Sequence, residues 1–149
     1  MDINRTLNEL LVGLFRSITT IEEHTICTGE YKDMTTNDMH VIEAIGREEP
    51  RNMTAVARAL DVTTGTLTIS MNSLVKKGYV QRVRSEEDRR VVLVSLTEKG
   101  RNAFDHHKRF HEEMIAHVVD GLSEEEKQVL QKSLNQLNGF FVDMQKKKQ

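Results

Sequence analysis

Apolar residues recur at steps of three and four positions near both ends of this chain, a spacing that predicts long amphipathic helices. The N-terminal stripe consists of Ile3, Leu7, Leu10, Leu14, Ile18 and Ile21. The C-terminal stripe is narrower and heptad-like, and it consists of Leu130, Leu134, Leu137, Phe141 and Met144. Because a chain of 149 residues offers too little protein to cover all of these faces in one copy, we expect an obligate homodimer that buries them across a two-fold axis.

Between the two stripes, the sequence predicts two short helices in close succession. Residues 53–60 are alanine-rich, and a short break separates them from a second helix over about 64–77, which Gly78 ends. So tight a connection is typical of a helix-turn-helix. Upstream, Thr35–Asp38 offer capping side chains for a preceding helix, and residues 46–52 are expected to form a loop.

A hairpin is predicted next. Residues 79–84 and 90–96 have the character of strands, and the polar stretch 85–89 between them predicts a hairpin tip. Further helices are expected to begin at Thr97 and at Ser123, where Ser123 belongs to a capping-box pattern. The expected fold is therefore mainly α with a small β wing, a winged helix-turn-helix in which four helices, two strands and two more helices follow one another.

Composition and charge exclude several functional classes. No apolar run approaches the roughly 20 residues of a membrane span, no signal sequence is apparent, and the single cysteine, Cys27, fits a reducing compartment, so we expect a cytoplasmic protein without a membrane partner. No motif for catalysis is present, so we expect neither enzymatic activity nor a cofactor. The net charge is −2, yet residues 51–101 carry ten Lys or Arg against five Asp or Glu and can face phosphates locally.

The hairpin tip carries the most specific motif. The segment from Ser85 to Gly100 reads SEEDRRVVLVSLTEKG. It resembles the wing of the MarR family of transcription regulators, in which an Asp-x-Arg at the tip precedes a hydrophobic strand and then Leu-Thr-x-Lys-Gly. Asp88 and Arg90 occupy the Asp-x-Arg positions, and Leu96–Gly100 completes the pattern.

This resemblance covers essentially the whole chain and implies a division of labour. Residues 1–149 would form a single MarR-type domain. Residues 1–30 and 101–149 would form its helical dimerisation region, and residues 35–100 would form the winged helix-turn-helix that binds double-stranded DNA.

The wing can be interpreted physically. A long, planar guanidinium on a hairpin tip can enter the narrow minor groove, where A·T tracts enhance the negative potential. By its position in the family motif Arg90 is the better candidate and Arg89 the second, and Asp88 is expected to hold an arginine in an extended rotamer. The candidate DNA-contacting residues of the hairpin are Arg82, Arg84, Ser85, Asp88, Arg89 and Arg90.

The second helix of the helix-turn-helix has no Arg, Lys, Gln or Glu before Lys76, so the commonest contact to guanine is missing. Threonine methyl groups suit thymine and Asn72 suits adenine, so we expect an A·T-rich, pseudo-palindromic operator with half-site centres about 10 bp apart. Leu67, Met71 and Leu74 are expected to be core residues. The candidate contacts on this helix are Thr63, Thr64, Gly65, Thr66, Thr68, Ile69, Ser70, Asn72 and Lys76.

Further stretches, including residues 39–42, 62–68 and 120–126, resemble the FabT-type branch of the family, whose members repress fatty-acid synthesis genes in Gram-positive cocci. This resemblance implies long-chain acyl–acyl carrier protein as co-repressor. A long acyl chain needs a deep apolar slot, in which each buried methylene contributes about 0.8 kcal/mol. The expected lining is Leu14, Phe15, Ile18, Ile21, Met39, Ile42, Phe104, His107, Phe110 and Met114.

A zinc-responsive regulator on the same scaffold remains an alternative. His107 and His111 are four residues apart on one predicted helix, a spacing that can hold a metal ion. The groups that could converge on them are His40 of the second helix and Glu22, Glu23, His24 and Cys27 near the end of the first. Cys27 is expected to be a structural or idle thiol rather than a redox switch.

Overall fold

The computed structural model describes residues 2–26 and 29–148, so Cys27 lies outside the described residues. The helices are α1 (Ile3–Ile26), α2 (Thr36–Ile45), α3 (Met53–Leu60), α4 (Thr64–Lys77), α5 (Glu98–Val119) and α6 (Glu124–Lys146), and a 3₁₀ turn covers Gly29–Tyr31. The strands are β1 (Arg51–Asn52), β2 (Val80–Arg84) and β3 (Val92–Leu96). Within the described ranges, every helix is too short or too polar to cross a lipid bilayer.

The chain divides into two compact units, of which the first ends at Arg109 and the second begins at Phe110. The first unit contains the helix-turn-helix and a three-stranded antiparallel sheet in the order β1-β3-β2. In this sheet Arg82 of β2 pairs with Val94 of β3, and Arg84 pairs with Val92. The expected winged helix-turn-helix is therefore confirmed.

The sheet differs from the expectation in two ways. The loop predicted over residues 46–52 was wrong at its end, because Arg51 and Asn52 pair with Val94 and Leu93 as a third strand. Two residues are too few to show a period in sequence, and this strand exists only because β3 offers it an edge. The hairpin strands are also shorter than predicted, which leaves a longer tip over residues 85–91.

Capping groups set the helix boundaries as predicted. Thr35 and Asp38 form a reciprocal capping box at the start of α2, and Ser123 with Glu126 forms another at the start of α6. Gly78 ends α4 with a left-handed φ of 85°. Between α3 and α4, Asp61 takes the left-handed conformation with φ 54°, which Asp tolerates better than most residues.

The hydrophobic core lies in the first unit and contains one face of α4. Leu67, Met71 and Leu74 are fully buried, as expected. They pack in a cluster to which α2 contributes Met39 and Ile42. The buried set also includes Val41, Ile45, Val56, Ala57, Tyr79, Val80, Val94, Leu96 and Ala103.

The apolar stripe of α1 is exposed in one copy of the chain. All six members, from Ile3 to Ile21, are at least 38% exposed, and of the described residues of α1 only Ile26 is buried. In the second unit, α6 buries none of its described residues, and its seam members Leu134, Phe141 and Met144 are exposed. Each of these two helices therefore presents an apolar face that its own unit leaves uncovered.

Gly100, in the first turn of α5, allows a close approach to the backbone before β2. A Cβ atom at this position would overlap the carbonyl oxygen of Tyr79 and lie 3.1 Å from its carbonyl carbon. That same carbonyl accepts a hydrogen bond from the backbone N–H of Thr97 at 3.0 Å, which holds it in place. We predict that Gly100→Ala lowers the free energy of unfolding by about 1–3 kcal/mol, the usual cost of overpacking, in denaturant unfolding at fixed protein concentration.

The matched control for this prediction is Gly139→Ala. Gly139 lies within α6, where an added Cβ would meet no atom within 4 Å. Alanine is favoured over glycine in a helix by up to about 1 kcal/mol, so this variant should be at least as stable as the parent protein. Equal stability of Gly100→Ala and the parent would contradict the prediction.

Candidate nucleic-acid interface

The outward face of α4 is polar and accessible. Thr64, Thr66, Thr68, Ile69, Asn72 and Lys76 are all exposed, and the buried Leu67, Met71 and Leu74 lie on the opposite face. Thr63 precedes the helix as its N-cap and accepts a hydrogen bond from the backbone N–H of Thr66 at 3.1 Å. Most of the predicted contacts on this helix therefore lie on one solvent-facing surface, which also includes Gly65.

Several hydroxyl groups on this helix have partners within the protein. The Thr68 hydroxyl donates to the carbonyl of Thr64 at 2.8 Å, and the Thr63 hydroxyl donates to the hydroxyl of Thr66 at 3.0 Å. Ser70 differs from the other candidates, because it is half-buried and its hydroxyl accepts a hydrogen bond from the Asn37 side chain of α2 at 3.0 Å. Ser70 thus joins α4 to α2.

Asn72 and Arg82 are brought together across α4 and β2. The guanidinium Nη2 of Arg82 donates to Oδ1 of Asn72. This contact places a cation from the hairpin beside the helix, which the sequence spacing did not predict. An asparagine reads adenine through both its oxygen and its amide nitrogen, and the oxygen of Asn72 already accepts one hydrogen bond, from Arg82.

At the wing tip, Asp88 and Arg90 form a bidentate ion pair. Nε and Nη2 of Arg90 each donate to one carboxylate oxygen of Asp88 at 3.0 Å, and the backbone N–H of Arg90 donates to Oδ1 at 3.1 Å. The Arg90 side chain is nevertheless 90% exposed. The expected pairing of Asp88 with an arginine is present, and that arginine is Arg90, while the extended rotamer stays a prediction.

The neighbouring residues shape the tip. The guanidinium of Arg84 donates to the carbonyl oxygen of Arg89 at 2.8 Å, which crosses the base of the tip. The Ser85 hydroxyl accepts from the backbone N–H of Asp88, and the carbonyl of Asp88 accepts from the N–H of Val91. The predicted hairpin contacts are thus linked to one another, with Arg82 lying beside α4.

A second polar cluster, which the sequence analysis missed, supports the base of the wing. The Tyr79 hydroxyl donates to Oδ1 of Asp33 at 2.6 Å, and Lys99 lies 4.2 Å from the centre of the Tyr79 ring and 3.8 Å from Asp33. The hydrogen bond from Tyr79 lowers the pKa of Asp33, and burial raises the pKa of Tyr79. The one signal in the sequence was Lys99, which belongs to the wing motif.

Lys77 and Asp38 add a largely buried ion pair between α4 and α2. Their N–O distance is 2.7 Å, and the Asp38 side chain is only 6% exposed. Since Asp38 also caps α2, one carboxylate fixes the start of α2 and the end of α4. Together with the hydrogen bond between Asn37 and Ser70, this ion pair determines the orientation of α4 against α2. The outward face of α4, which we call the recognition surface, carries the candidate DNA contacts.

The residues expected to line an acyl slot occupy different environments. Met39, Ile42 and His107 are buried, Phe104 is half-buried, and Phe110 and Met114 belong to the second unit. The four members on α1, which are Leu14, Phe15, Ile18 and Ile21, are exposed in one copy. Met39 and His107 line one small cavity together with Ile26, Tyr31 and Met34. The acyl slot stays a prediction.

His107 is buried between two carboxylates of the first unit. Its Nε2 lies 3.1 Å from Oε1 of Glu22 on α1 and 2.8 Å from Oε1 of Glu43 on α2, and its side chain is 2% exposed. His40 is exposed elsewhere on α2, in a groove that Leu60 and Val62 also line. His111 belongs to the second unit.

Comparison with known proteins places this geometry in a family. Residues 25–107 match the family model of the transcriptional regulator SarA/Rot. The chain is 36% identical over 101 residues to the transcriptional regulator SarZ of Staphylococcus saprophyticus, covering 66% of this chain and 68% of that protein. It is 31% identical over 109 residues to PchR of Bacillus subtilis, covering 71% and 63%. The chain therefore belongs to the MarR family of winged-helix transcription regulators.

Among solved structures, Streptococcus pneumoniae FabT in complex with DNA is 42% identical to this chain, with a TM-score of 0.87 over 95% of this chain and 99% of that one. A MarR family protein from Bacillus stearothermophilus, at 20% identity and a TM-score of 0.74, shares the fold. The curated relatives are matched over part of their length, 63% for PchR and 48% for SarZ of Staphylococcus haemolyticus.

The wing-tip ion pair has a measurable electrostatic consequence. Hydrogen bonds from the Arg90 side chain, and then from its backbone N–H, lower the pKa of Asp88, while the carboxylate raises the pKa of Arg90. The pair is therefore fully ionised above the ordinary carboxyl pKa and is lost as the pH falls through the lowered value. We predict that an NMR titration of the Asp88 carboxyl carbon gives a pKa below about 3.9, and that Arg90→Ala raises it toward that value.

Arg89→Ala is the matched control for the titration. Arg89 is the adjacent exposed arginine, and its carbonyl rather than its side chain contacts Arg84. Its removal should leave the pKa of Asp88 low. An identical Asp88 pKa in Arg90→Ala and the parent protein would refute the pairing.

Proposed function

We propose that the chain is a homodimeric transcription repressor that inserts α4 into the major groove and Arg90 into the adjacent minor groove of its operator. The observation that carries the proposal is the exposed Arg90, held by Asp88 on the same unit as an outward polar helix. In this proposal residues 35–100 contact DNA. Residues 1–30 and 101–149 form the dimer within one MarR-type domain spanning 1–149.

The exposed apolar stripe of α1 supports dimerisation. Fully burying one leucine or phenylalanine contributes about 1.5–3 kcal/mol, so a second copy that covers this stripe would be strongly held. The face of α6 gives the same argument for the second unit. A symmetric pair presents two copies of α4 and of the wing, which suits an operator with two related half-sites about 10 bp apart.

The chemistry of the surface supports an A·T-rich operator. The accessible side chains of α4 before Lys76 are threonines, Ile69 and Asn72, and they lack the arginine that most often recognises guanine. Lys76, Arg82 and Arg84 supply cations for phosphates on both sides of the groove. These phosphate contacts would fix the position of the protein along the duplex, while contacts with base edges in the grooves would supply the sequence preference.

The experiment isolates duplexes from a random pool with the full chain and measures affinity by fluorescence anisotropy at several salt concentrations. We predict an A·T-rich pseudo-palindrome, and a roughly 10- to 100-fold loss of affinity in Arg90→Ala. The control is Lys132→Ala, an exposed cation on α6 outside the proposed interface, which should bind as the parent does. A G·C-rich consensus would overturn the operator assignment. A protein that is monomeric in solution and binds no duplex would overturn the proposal.

We further propose that the regulated genes serve fatty-acid synthesis and that long-chain acyl–acyl carrier protein is the co-repressor. The resemblance to the FabT-type branch and the 42% identity to FabT support this assignment. An effector that prefers the DNA-binding arrangement of the dimer must strengthen operator binding, and the operator must strengthen effector binding equally.

The surroundings of His107 favour zinc as the second candidate effector. A histidine nitrogen and two carboxylate oxygens, the ligand types that zinc uses, meet at one position contributed by three helices, where His107 is buried and Glu43 is 41% exposed. His107, Glu22 and Glu43 would hold the ion, and His40 and His111 remain the alternative ligands expected from the sequence.

One binding experiment separates the two effectors. Operator affinity is measured with palmitoyl–acyl carrier protein, with the unacylated carrier, and with Zn²⁺ alone. We predict roughly 5- to 150-fold tighter binding with the acylated carrier only, the usual range of coupling between two sites. Unchanged or weaker binding with the acylated carrier rejects the lipid effector. A response to Zn²⁺ that His107→Ala abolishes, while binding to the operator alone is retained, would support the metal.

A further inference from the structure

Ile69 is an unusual residue at the centre of the outward face of α4. It is 75% exposed, whereas the other isoleucines of the winged helix-turn-helix, Ile42 and Ile45, are buried. A single exposed apolar side chain is ordinary on a protein surface, so exposure alone carries no functional meaning. What distinguishes Ile69 is its position.

Ile69 belongs to the central line of the recognition surface. Gly65, Ile69, Asn72 and Lys76 follow one another at steps of four, three and four, and all are exposed. This line lies opposite the buried face of the helix. A DNA duplex that binds this face of α4 therefore contacts the Ile69 side chain at the centre of the interface, between Gly65 and Asn72. Gly65 has no side chain that could keep the duplex away.

The polar neighbours of Ile69 are already engaged within the protein. Asn72 accepts a hydrogen bond from Arg82, and Thr68 donates to the helix backbone. The aliphatic side chain of Ile69, by contrast, has no hydrogen bond to release before it contacts a base, and it is 75% exposed. An aliphatic group distinguishes bases in the major groove through the one apolar feature that they present, the 5-methyl group of thymine.

We infer that Ile69 is a specificity-determining residue that recognises thymine 5-methyl groups in each half-site. Asn72 serves instead as a positioning residue that holds Arg82 against the helix. This inference rests on the proposed function, because it concerns which side chain reads the operator that the protein binds. It assigns thymine preference to methyl contact rather than to hydrogen bonding or to groove shape.

Uracil provides the direct test, because it lacks only the 5-methyl group and keeps the pairing and hydrogen-bonding edge of thymine. The operator selected by the full chain is synthesised with uracil replacing thymine at one position at a time, symmetrically in both half-sites. Affinities of the parent protein and Ile69→Ala for each duplex form a double-mutant cycle, in which any effect of uracil on the duplex itself cancels.

We expect one or two positions per half-site at which uracil weakens binding of the parent about three- to five-fold for each methyl group lost. At those positions Ile69→Ala should show no uracil penalty. Ile69→Val, which keeps two methyl groups on a β-branched side chain, should retain most of the penalty.

Two outcomes overturn the inference while the proposed function stands. In one, the parent binds its operator but uracil has no effect at any position. In the other, Ile69→Ala retains the full penalty everywhere, which would assign the methyl contacts to the threonines. If the parent protein binds no duplex at all, the proposed function itself is overturned. Far-ultraviolet circular dichroism of Ile69→Ala verifies that its fold is unchanged.

Discussion

The recognition surface depends on the burial of one face of α4. Leu67, Met71 and Leu74 are anchored in the core of the first unit, so the opposite face must point to solvent. A helix held by three buried side chains cannot rotate about its axis without exposing them, and each such exposure would cost about 1.5–3 kcal/mol. Polar and small residues can therefore occupy the outward face without weakening the fold, and their chemistry is available for recognition.

The wing depends on this same core through its base. Tyr79 is buried, its carbonyl accepts from Thr97, and Gly100 allows α5 to begin directly against it. The Tyr79 hydroxyl and Lys99 connect this point to Asp33, in the segment that precedes α2. The hairpin thus extends from a rigid base, and the ion pair of Asp88 with Arg90 restricts the side chain at its tip. Restricting a long guanidinium before binding lowers the conformational entropy lost on contact with DNA.

The features that could be predicted from the sequence are those that local residue patterns determine. The bounds of α3 and α4, the caps at Thr35 and Ser123, and the hairpin strands all follow from periodicity and capping chemistry that operate over a few residues. The charged partner of Asp88 was predictable for the same reason, because it lies two residues away on one turn. The winged helix-turn-helix followed from the order of these local elements, and the MarR family followed from the resemblance of the wing motif.

Contacts between distant residues were not predictable in this way. Strand β1 exists only through its pairing with β3, and two residues carry no period. The contact of Arg82 with Asn72, the pairing of Asn37 with Ser70, and the placement of His107 between Glu22 and Glu43 depend on how the elements pack. The sequence identified His107 as notable and Glu22 as one of several groups that could converge on it, but it did not predict the contact with Glu43 of α2.

Helix α2 connects the surroundings of His107 to the recognition surface. Glu43 of α2 contacts His107, while Asp38 and Asn37, at the start of the same helix, contact Lys77 and Ser70 of α4. Packed elements shift as units, because interiors at crystal-like density do not deform smoothly. An effector that changed how α2 packs against α1 and α5 would therefore act on α4 through these two contacts and through the core that α2 and α4 share. The influence of any such effector on DNA binding is limited to the difference in its binding free energy between the two states of the protein.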